Sequence, residues 1–306
     1  MKYLKICLIL IEFNVVTALA QGNVDSAGFR PLNQEAYKAV SAFFKYDQSI
    51  PLDGRVLERY ETRSYSRDKI VFTGVRGDRV PGFLAIPKTG YPPYPLVLLF
   101  HISAGSKESW WSATSFERGL MVTDSLLNLN VAVLALDAQY HGERSGNSDF
   151  LPIEQMYFDQ KWYYRYREGI IQTIGDYQRA LDYVSENHNI DIQRVGVLGY
   201  SMGGAMSLIF ASVDQRVKVA VAGSAALTDP WLYPISSVNI AQGVKVPTLL
   251  LAGNRDILIS VEATKSLFSN LNTKVKELER YESGHRLPEE NVSRSVNWLF
   301  KYLQKK

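Results

Sequence analysis

The segment from Arg194 to Ala211 constrains the fold more than any other part of the chain. An apolar run, Val195 to Leu198, leads into Gly199-Tyr200-Ser201-Met202-Gly203-Gly204, and a helical segment, Ala205 to Ala211, follows without a spacer. A strand can turn into a helix over so few residues only if the two backbones come very close. Glycines at 199, 203 and 204 remove the Cβ atoms that would prevent it. Ser201 at the apex is then expected in a strained backbone conformation, with its hydroxyl exposed above the end of the strand. The helix N-terminus behind it favours negative charge that develops there. A buried strand followed at once by a packed helix is a unit of a sheet covered on both faces.

The rest of the chain supplies such a sheet. Short apolar runs without alternation occur at Leu96 to Phe100, Val131 to Leu136, Val195 to Leu198, Val217 to Val221 and Val246 to Leu251, the pattern of parallel strands buried on both faces. Helical segments lie between them, most clearly where Ile170, Ile174, Tyr177, Leu181 and Val184 fall on one face. A last strand is expected over Val275 to Tyr281 and a C-terminal helix over Glu289 to Leu303. Ahead of the parallel part, Val56 to Tyr65, Lys69 to Val75 and Val80 to Ile86 read as antiparallel strands, the last two joined through Arg76-Gly77-Asp78-Arg79. The expectation is an α/β fold with a mostly parallel central sheet, antiparallel N-terminal strands and helices on both faces. Residues 51–306 form one catalytic domain in this reading. Residues 21–50 form a lead-in whose short amphipathic helix, with Tyr37, Val40, Phe43 and Phe44 on it, stands outside the main fold.

With 306 residues, 46% hydrophobic and 21% charged, the chain can bury a sizeable core and is neither disordered nor fibrous. Its 34 basic and 31 acidic residues form no basic block, which speaks against a nucleic-acid partner. The first residues carry Lys2 and Lys5, an apolar stretch from Ile6 to Val16 and Ala18-Leu19-Ala20 before Gln21. That order predicts a signal peptide over residues 1–20, cut after Ala20, and export to the periplasm or medium without a membrane anchor. Cys7, the one cysteine, falls inside it, so disulfides, cysteine metal sites and thiol catalysis are all excluded from the mature chain. Neither His-Glu-x-x-His nor a phosphate-binding Gly-x-x-x-x-Gly-Lys-Ser/Thr occurs. No metal and no cofactor are expected.

A serine hydroxyl needs a base to become a nucleophile, and this layout takes its acid and base from later loops in the order Ser, Asp or Glu, His. Of the four histidines, His101, His141 and His188 precede Ser201 and only His285 follows it. Seven carboxylates lie between: Asp214, Asp229, Asp256, Glu262, Glu277, Glu279 and Glu282. Asp256 closes a buried strand on the same sheet edge as Ser201 and is the first choice to orient His285, with Asp229 second. The oxyanion needs two backbone donors. Met202 N–H is one, and the loop Phe100-His101-Ile102-Ser103-Ala104-Gly105 supplies the other, Ser103 N–H, with Ile102 N–H as the alternative. His101 and the polar residues of Asp137 to Glu143 brace these loops. Trp110, Trp111, Tyr140 and Trp162, on segments expected to loop over the active edge, are candidates to line a substrate pocket.

These residues together resemble the α/β-hydrolase superfamily, and within it the dienelactone-hydrolase-like and acetyl-xylan-esterase-like carboxylesterases. The resemblance runs from about Val56 to the C-terminus through Arg79 to Pro87, the His101 loop, His141-Gly142, Gly-Tyr-Ser-Met-Gly-Gly, Gly-Asn-Arg-Asp256 and Gly284-His285. It implies an α/β-hydrolase fold, a small-molecule ester substrate, Ser201, Asp256 and His285 as a triad, and no cofactor. Ile102 departs from it, because glycine usually follows that histidine. A β-branched residue avoids positive φ, so the loop is expected to turn at Ser103 to Gly105 instead. Two other readings share the fold. A prolyl-oligopeptidase-like peptidase would cleave aminoacyl anilides, although the residues before the fold are too few for that group's propeller. A catalytically inactive binding module would not react with a fluorophosphonate.

Overall fold

A computed structural model of the chain describes residues 30–148, 151, 155–186 and 189–304. The expected signal peptide, residues 1–20, and His188 lie outside them.

Nine strands form one sheet: β1 (Arg55–Glu61), β2 (Tyr65–Thr73), β3 (Arg79–Pro87), β4 (Tyr94–Phe100), β5 (Ala132–Leu136), β6 (Ile190–Tyr200), β7 (Val217–Gly223), β8 (Thr248–Gly253) and β9 (Lys276–Tyr281). Their order is β1-β2-β3-β5-β4-β6-β7-β8-β9. β1, β2 and β3 pair antiparallel, as do β3 and β5, and every neighbour from β5 onward is parallel. The helices are α1 (Gln34–Ser41), α2 (Gly119–Asn128), α3 (Tyr163–Ser185), α4 (Met202–Val213), the one-turn α5 (Ser237–Ile240), α6 (Val261–Asn270) and α7 (Glu290–Leu303). This is the α/β-hydrolase arrangement expected from the sequence. Among the described residues no helix is long and apolar enough to cross a membrane.

The lack of alternation in the central strands has a simple cause. Leu96, Leu98 and Phe100 of β4 enter one core, with Ile174 and Tyr177 of α3 and Met206 and Phe210 of α4. Val97 and Leu99 enter the other, with Val122 and Leu126 of α2 and Trp298 and Leu299 of α7. Side chains do alternate between faces, but both faces are covered, so the runs that pass through the core are apolar on both sides. Each such fully buried side chain contributes roughly 1.5–3 kcal/mol.

Two expectations about the flanks are corrected. The lead-in does not stand outside the fold: Leu32, Val40 and Phe44 are buried in the same core as β4 and α4, and the Tyr37 hydroxyl donates to Ser212 O at 2.5 Å. Nor does the segment of Trp162, expected to loop over the active edge, stay a loop beyond that residue: Tyr163, Tyr164 and Tyr166 are helical. They occupy the first turn of α3, where Tyr163 stacks on Trp231 at 4.3 Å and Tyr157 meets Tyr163 and Tyr166 edge-on. Aromatic packing, which local helix preference does not register, extends the helix.

β4 connects to β5 on one side, while β6 lies on its other side. The strand order therefore reverses between β4 and β6, and a crevice opens beyond the carboxyl ends of these strands. The loop after β4 and the turn after β6 flank it.

Candidate active site

The turn after β6 places Ser201 at φ 54°, ψ −122°, a region that costs a non-glycine residue about 1–3 kcal/mol. The surroundings hold it there: Ser201 N–H donates to Gly223 O at 2.8 Å, and α4 begins at the next residue. Glycine is required on both sides. A Cβ on Gly199 would lie 2.2 Å from Gly203 O, and one on Gly203 would lie 2.0 Å from Phe100 O.

The Ser201 hydroxyl donates to His285 Nε2 at 2.9 Å, and His285 Nδ1–H donates to Asp256 Oδ2 at 2.8 Å. A carboxylate only accepts, so this contact sets the imidazole tautomer. The other Asp256 oxygen accepts the amides of Leu258 and Ile259 at 2.9 and 3.0 Å. Burial works to raise the Asp256 pKa, but the His285 hydrogen bond and charge and these two amides outweigh it and hold the carboxyl below its ordinary range. The ring of Phe116 lies 5.5 Å from that of His285.

Three loops from different strands must coincide for this row to form. Beyond β8 and β9 the chain stays zipped, with Asn254 N–H on Tyr281 O at 2.8 Å and Arg255 N–H on Ser283 O at 2.9 Å. Asp229, the second candidate acid, is engaged elsewhere. Its carboxyl caps the short helix Pro230–Leu232 through Trp231 N–H at 2.9 Å and takes the Tyr157 hydroxyl, and burial raises its pKa.

Ile102 takes no positive φ, and the turn closes one step later, with Gly105 N–H donating to Ile102 O at 3.0 Å. The Ile102 amide, the alternative oxyanion donor, is already committed to Glu117 Oε1 at 3.0 Å. His101 braces the base of this loop: its Nδ1–H donates to Ile102 O at 2.7 Å, and its Nε2 accepts Ala138 N–H at 3.0 Å. Burial pulls its pKa down to about 4 and that of neighbouring His141 to about 3, so both rings are neutral. Asp137 ties the loops after β4 and β5 together, accepting the Lys107 and Glu143 amides and the Lys107 ammonium at 2.8–3.0 Å.

The aromatic candidates separate. Trp110 is fully buried in the core with Val97, Leu99 and Val122; it sits in a short helix, Lys107–Trp111, and packs under α2 instead of facing a substrate. Trp111 packs edge-on against Phe83 at 5.2 Å, with the Arg67 guanidinium 5.2 Å from its ring. Tyr140, at φ 71°, lines a tight crevice with His141, Tyr166, Met202 and Met206. Trp162 caps α3, one turn ahead of Tyr166. Sequence reasoning did not single out Glu117 or Phe116, which carry no local motif. Among the described residues no cluster of His, Cys, Asp or Glu is arranged to hold a metal ion.

The model of the dienelactone hydrolase family matches residues 80–291, from β3 into α7. The chain belongs to the dienelactone hydrolase family. Among proteins of similar sequence, the putative carboxymethylenebutenolidase of Escherichia coli (strain K12) is 24% identical over 261 residues, 77% of this chain and 88% of that protein. The putative hydrolase YtaP of Bacillus subtilis (strain 168) is 29% identical over 148 residues, 47% of this chain, and the match spans 48% of YtaP's length. Among solved structures, a cold-adapted esterase from an Arctic intertidal metagenomic library superposes with a TM-score of 0.67 at 25% identity, covering 81% of this chain and 98% of the esterase. Acetyl xylan esterase 1 from Thermoanaerobacterium sp. JW/SL YS485, at 18% identity and a TM-score of 0.67 over 91% of this chain and 96% of its own, shares the fold. Family and esterase neighbours make this member a carboxylic ester hydrolase.

Proposed function

We propose that the protein cleaves a small carboxylic ester through an acyl-enzyme on Ser201. The unbroken row from Ser201 Oγ through His285 to Asp256, at 2.9 and 2.8 Å, carries the reading. Ser201 Oγ attacks the carbonyl carbon while His285 Nε2 accepts its proton, and Asp256 stabilises the imidazolium that forms. The Met202 and Ser103 amides hold the oxyanion. Met202 N–H, as the first amide of α4, has no partner within the helix, and no acceptor among the described residues takes Ser103 N–H. The tetrahedral adduct collapses as the imidazolium returns its proton to the departing alkoxide. Water, losing a proton to His285, then attacks the acyl carbonyl, and the imidazolium returns that proton to Ser201 Oγ as the acid leaves. Tyr140 and Trp162 form the substrate side of the site, a reading supported by the crevice that Tyr140 and Tyr166 share with Met202.

Stoichiometric labelling of Ser201 by a fluorophosphonate, with hydrolysis of p-nitrophenyl esters of graded acyl length and of acetylated sugars but not of aminoacyl anilides, is the expected result. Cleavage of anilides without esters would replace this reading with a peptidase; absence of labelling would favour an inactive binding module. We further propose export to the periplasm or medium after cleavage behind Ala20, supported by the order of Lys2, Lys5, the apolar stretch and Ala18-Leu19-Ala20. A secreted product beginning at Gln21 is expected; recovery of intact Met1 in the cytoplasm would end that proposal.

A further inference from the structure

Glu117 lies in the loop before α2 with 2% of its surface exposed. A buried carboxyl in a surface-spanning loop is unfavourable unless its contacts compensate. Its Oε1 accepts Ile102 N–H at 3.0 Å and fills the inside of the Ile102–Gly105 turn so closely that a Cβ on Gly105 would lie 3.2 Å from it. Its Oε2 is buried without a hydrogen-bond partner. The residues beside it reach the other half of the site: the Phe116 ring packs on His285 at 5.5 Å, and Ser115 O accepts the Arg286 guanidinium at 3.0 Å. Three consecutive residues thus contact both the loop that carries the base and the loop that carries Ser103.

We propose that Glu117 is a positioning residue for the oxyanion loop: by binding Ile102 N–H it turns that amide away from the substrate and aims the next one, Ser103 N–H, at the developing negative charge. The proposal rests on the acyl-enzyme reading above. It also accounts for isoleucine at 102. An amide held by a carboxylate has no need of positive φ, so the position tolerates a β-branched side chain. The role belongs to an acceptor at a fixed distance and requires no charge. Burial indeed raises the Glu117 pKa against the opposing effect of the Ile102 amide, which makes glutamine the conservative replacement.

The test compares Glu117→Leu, Glu117→Asp and Glu117→Gln with the unaltered protein on p-nitrophenyl acetate, each rate taken per fluorophosphonate-titrated site. Leucine removes the acceptor, aspartate keeps the charge but withdraws the acceptor by one methylene, and glutamine keeps the acceptor without the charge. Leu and Asp are expected to lower kcat by roughly 10- to 100-fold at unchanged KM, within the loss from removing one oxyanion donor. They should also weaken inhibition by phenylboronic acid, whose tetrahedral adduct uses the same hole, by a similar factor. Gln should recover most of both. Leu and Asp within about twofold of the unaltered kcat, Gln as slow as Leu with Asp unaffected, or a loss confined to KM would each overturn the proposal. Should the Leu variant not fold, Asp against Gln decides. Ser201→Ala in parallel separates the two readings, since its retaining activity would instead remove the acyl-enzyme itself.

Discussion

Gly253 at the end of β8 and Gly284 after β9 meet with no space between them: a Cβ on Gly253 would lie 2.2 Å from Gly284 O and 2.6 Å from Ser283 O. Asp256 follows the first of these glycines and His285 the second, so this contact brings the imidazole within reach of the carboxylate.

Gly253→Ala is therefore expected to displace the Ser283–Gly284 turn and lengthen the Asp256–His285 contact. Ester hydrolysis should fall by roughly 10- to 100-fold, since small misplacements have effects of that size, with the fold retained by circular dichroism. An alanine variant at full activity would show that the turn relaxes without moving His285.

Ser201→Ala and His285→Ala should each lower kcat by about 10⁴ or more, and the double variant should be little slower than either single one, because the residues act as a unit. Multiplicative losses in the double variant would indicate independent roles.

Asp256→Asn should lower kcat by roughly 10³ to 10⁴ while the protein stays folded, because asparagine cannot stabilise the imidazolium and favours the wrong tautomer. Asp229→Asn, which alters the cap of a short helix, should change activity little. The opposite ranking would reassign the acid.

His101 and His141 are buried as neutral rings with pKa values lowered from 6.5 to about 4 and about 3. Between pH 6.5 and about 4 the unfolded chain binds protons at these positions that the folded chain does not, so stability is lost as the pH falls through that window. Each ring can change the folding equilibrium by up to about tenfold per pH unit. The slope of unfolding free energy against pH from urea titrations is expected to drop by about one proton in His141→Gln. An unchanged slope would mean the ring is protonated in the folded protein.

Trp110→Ala should destabilise the protein by about 3–5 kcal/mol, the range for emptying a buried tryptophan site, and leave KM unchanged in the folded fraction. Tyr140→Ala should instead shift KM or acyl-length preference with a small change in melting temperature. The reverse pattern would put Trp110 in the substrate pocket.

The elements of this fold were legible because their signals are local. The run into Gly199-Tyr200-Ser201-Met202-Gly203-Gly204 dictates a strand, a strained turn and a helix from steric requirements within a few residues, and apolar runs without alternation, such as Leu96 to Phe100 in β4, Ala132 to Leu136 in β5 and Val195 to Leu198 in β6, announce burial on both faces. His285 follows by elimination, since of the four histidines it alone comes after Ser201. Asp256 and Asp229 look alike in sequence, each lying in the loop after a buried strand. Only the zipper between the β8 and β9 loops puts the first of them against His285, while the second is occupied by Trp231 N–H and Tyr157. Trp110 and Trp111 are adjacent, yet the turn of a short helix sends one into the core and leaves the other against Phe83. Glu117, 15 residues from the amide it holds, had no periodicity or motif to mark it. Steric rules between chain neighbours are written in the sequence itself. Which carboxylate meets which amide or imidazole depends on loops from separate strands arriving at one sheet edge, and that is settled only when the whole sheet has assembled.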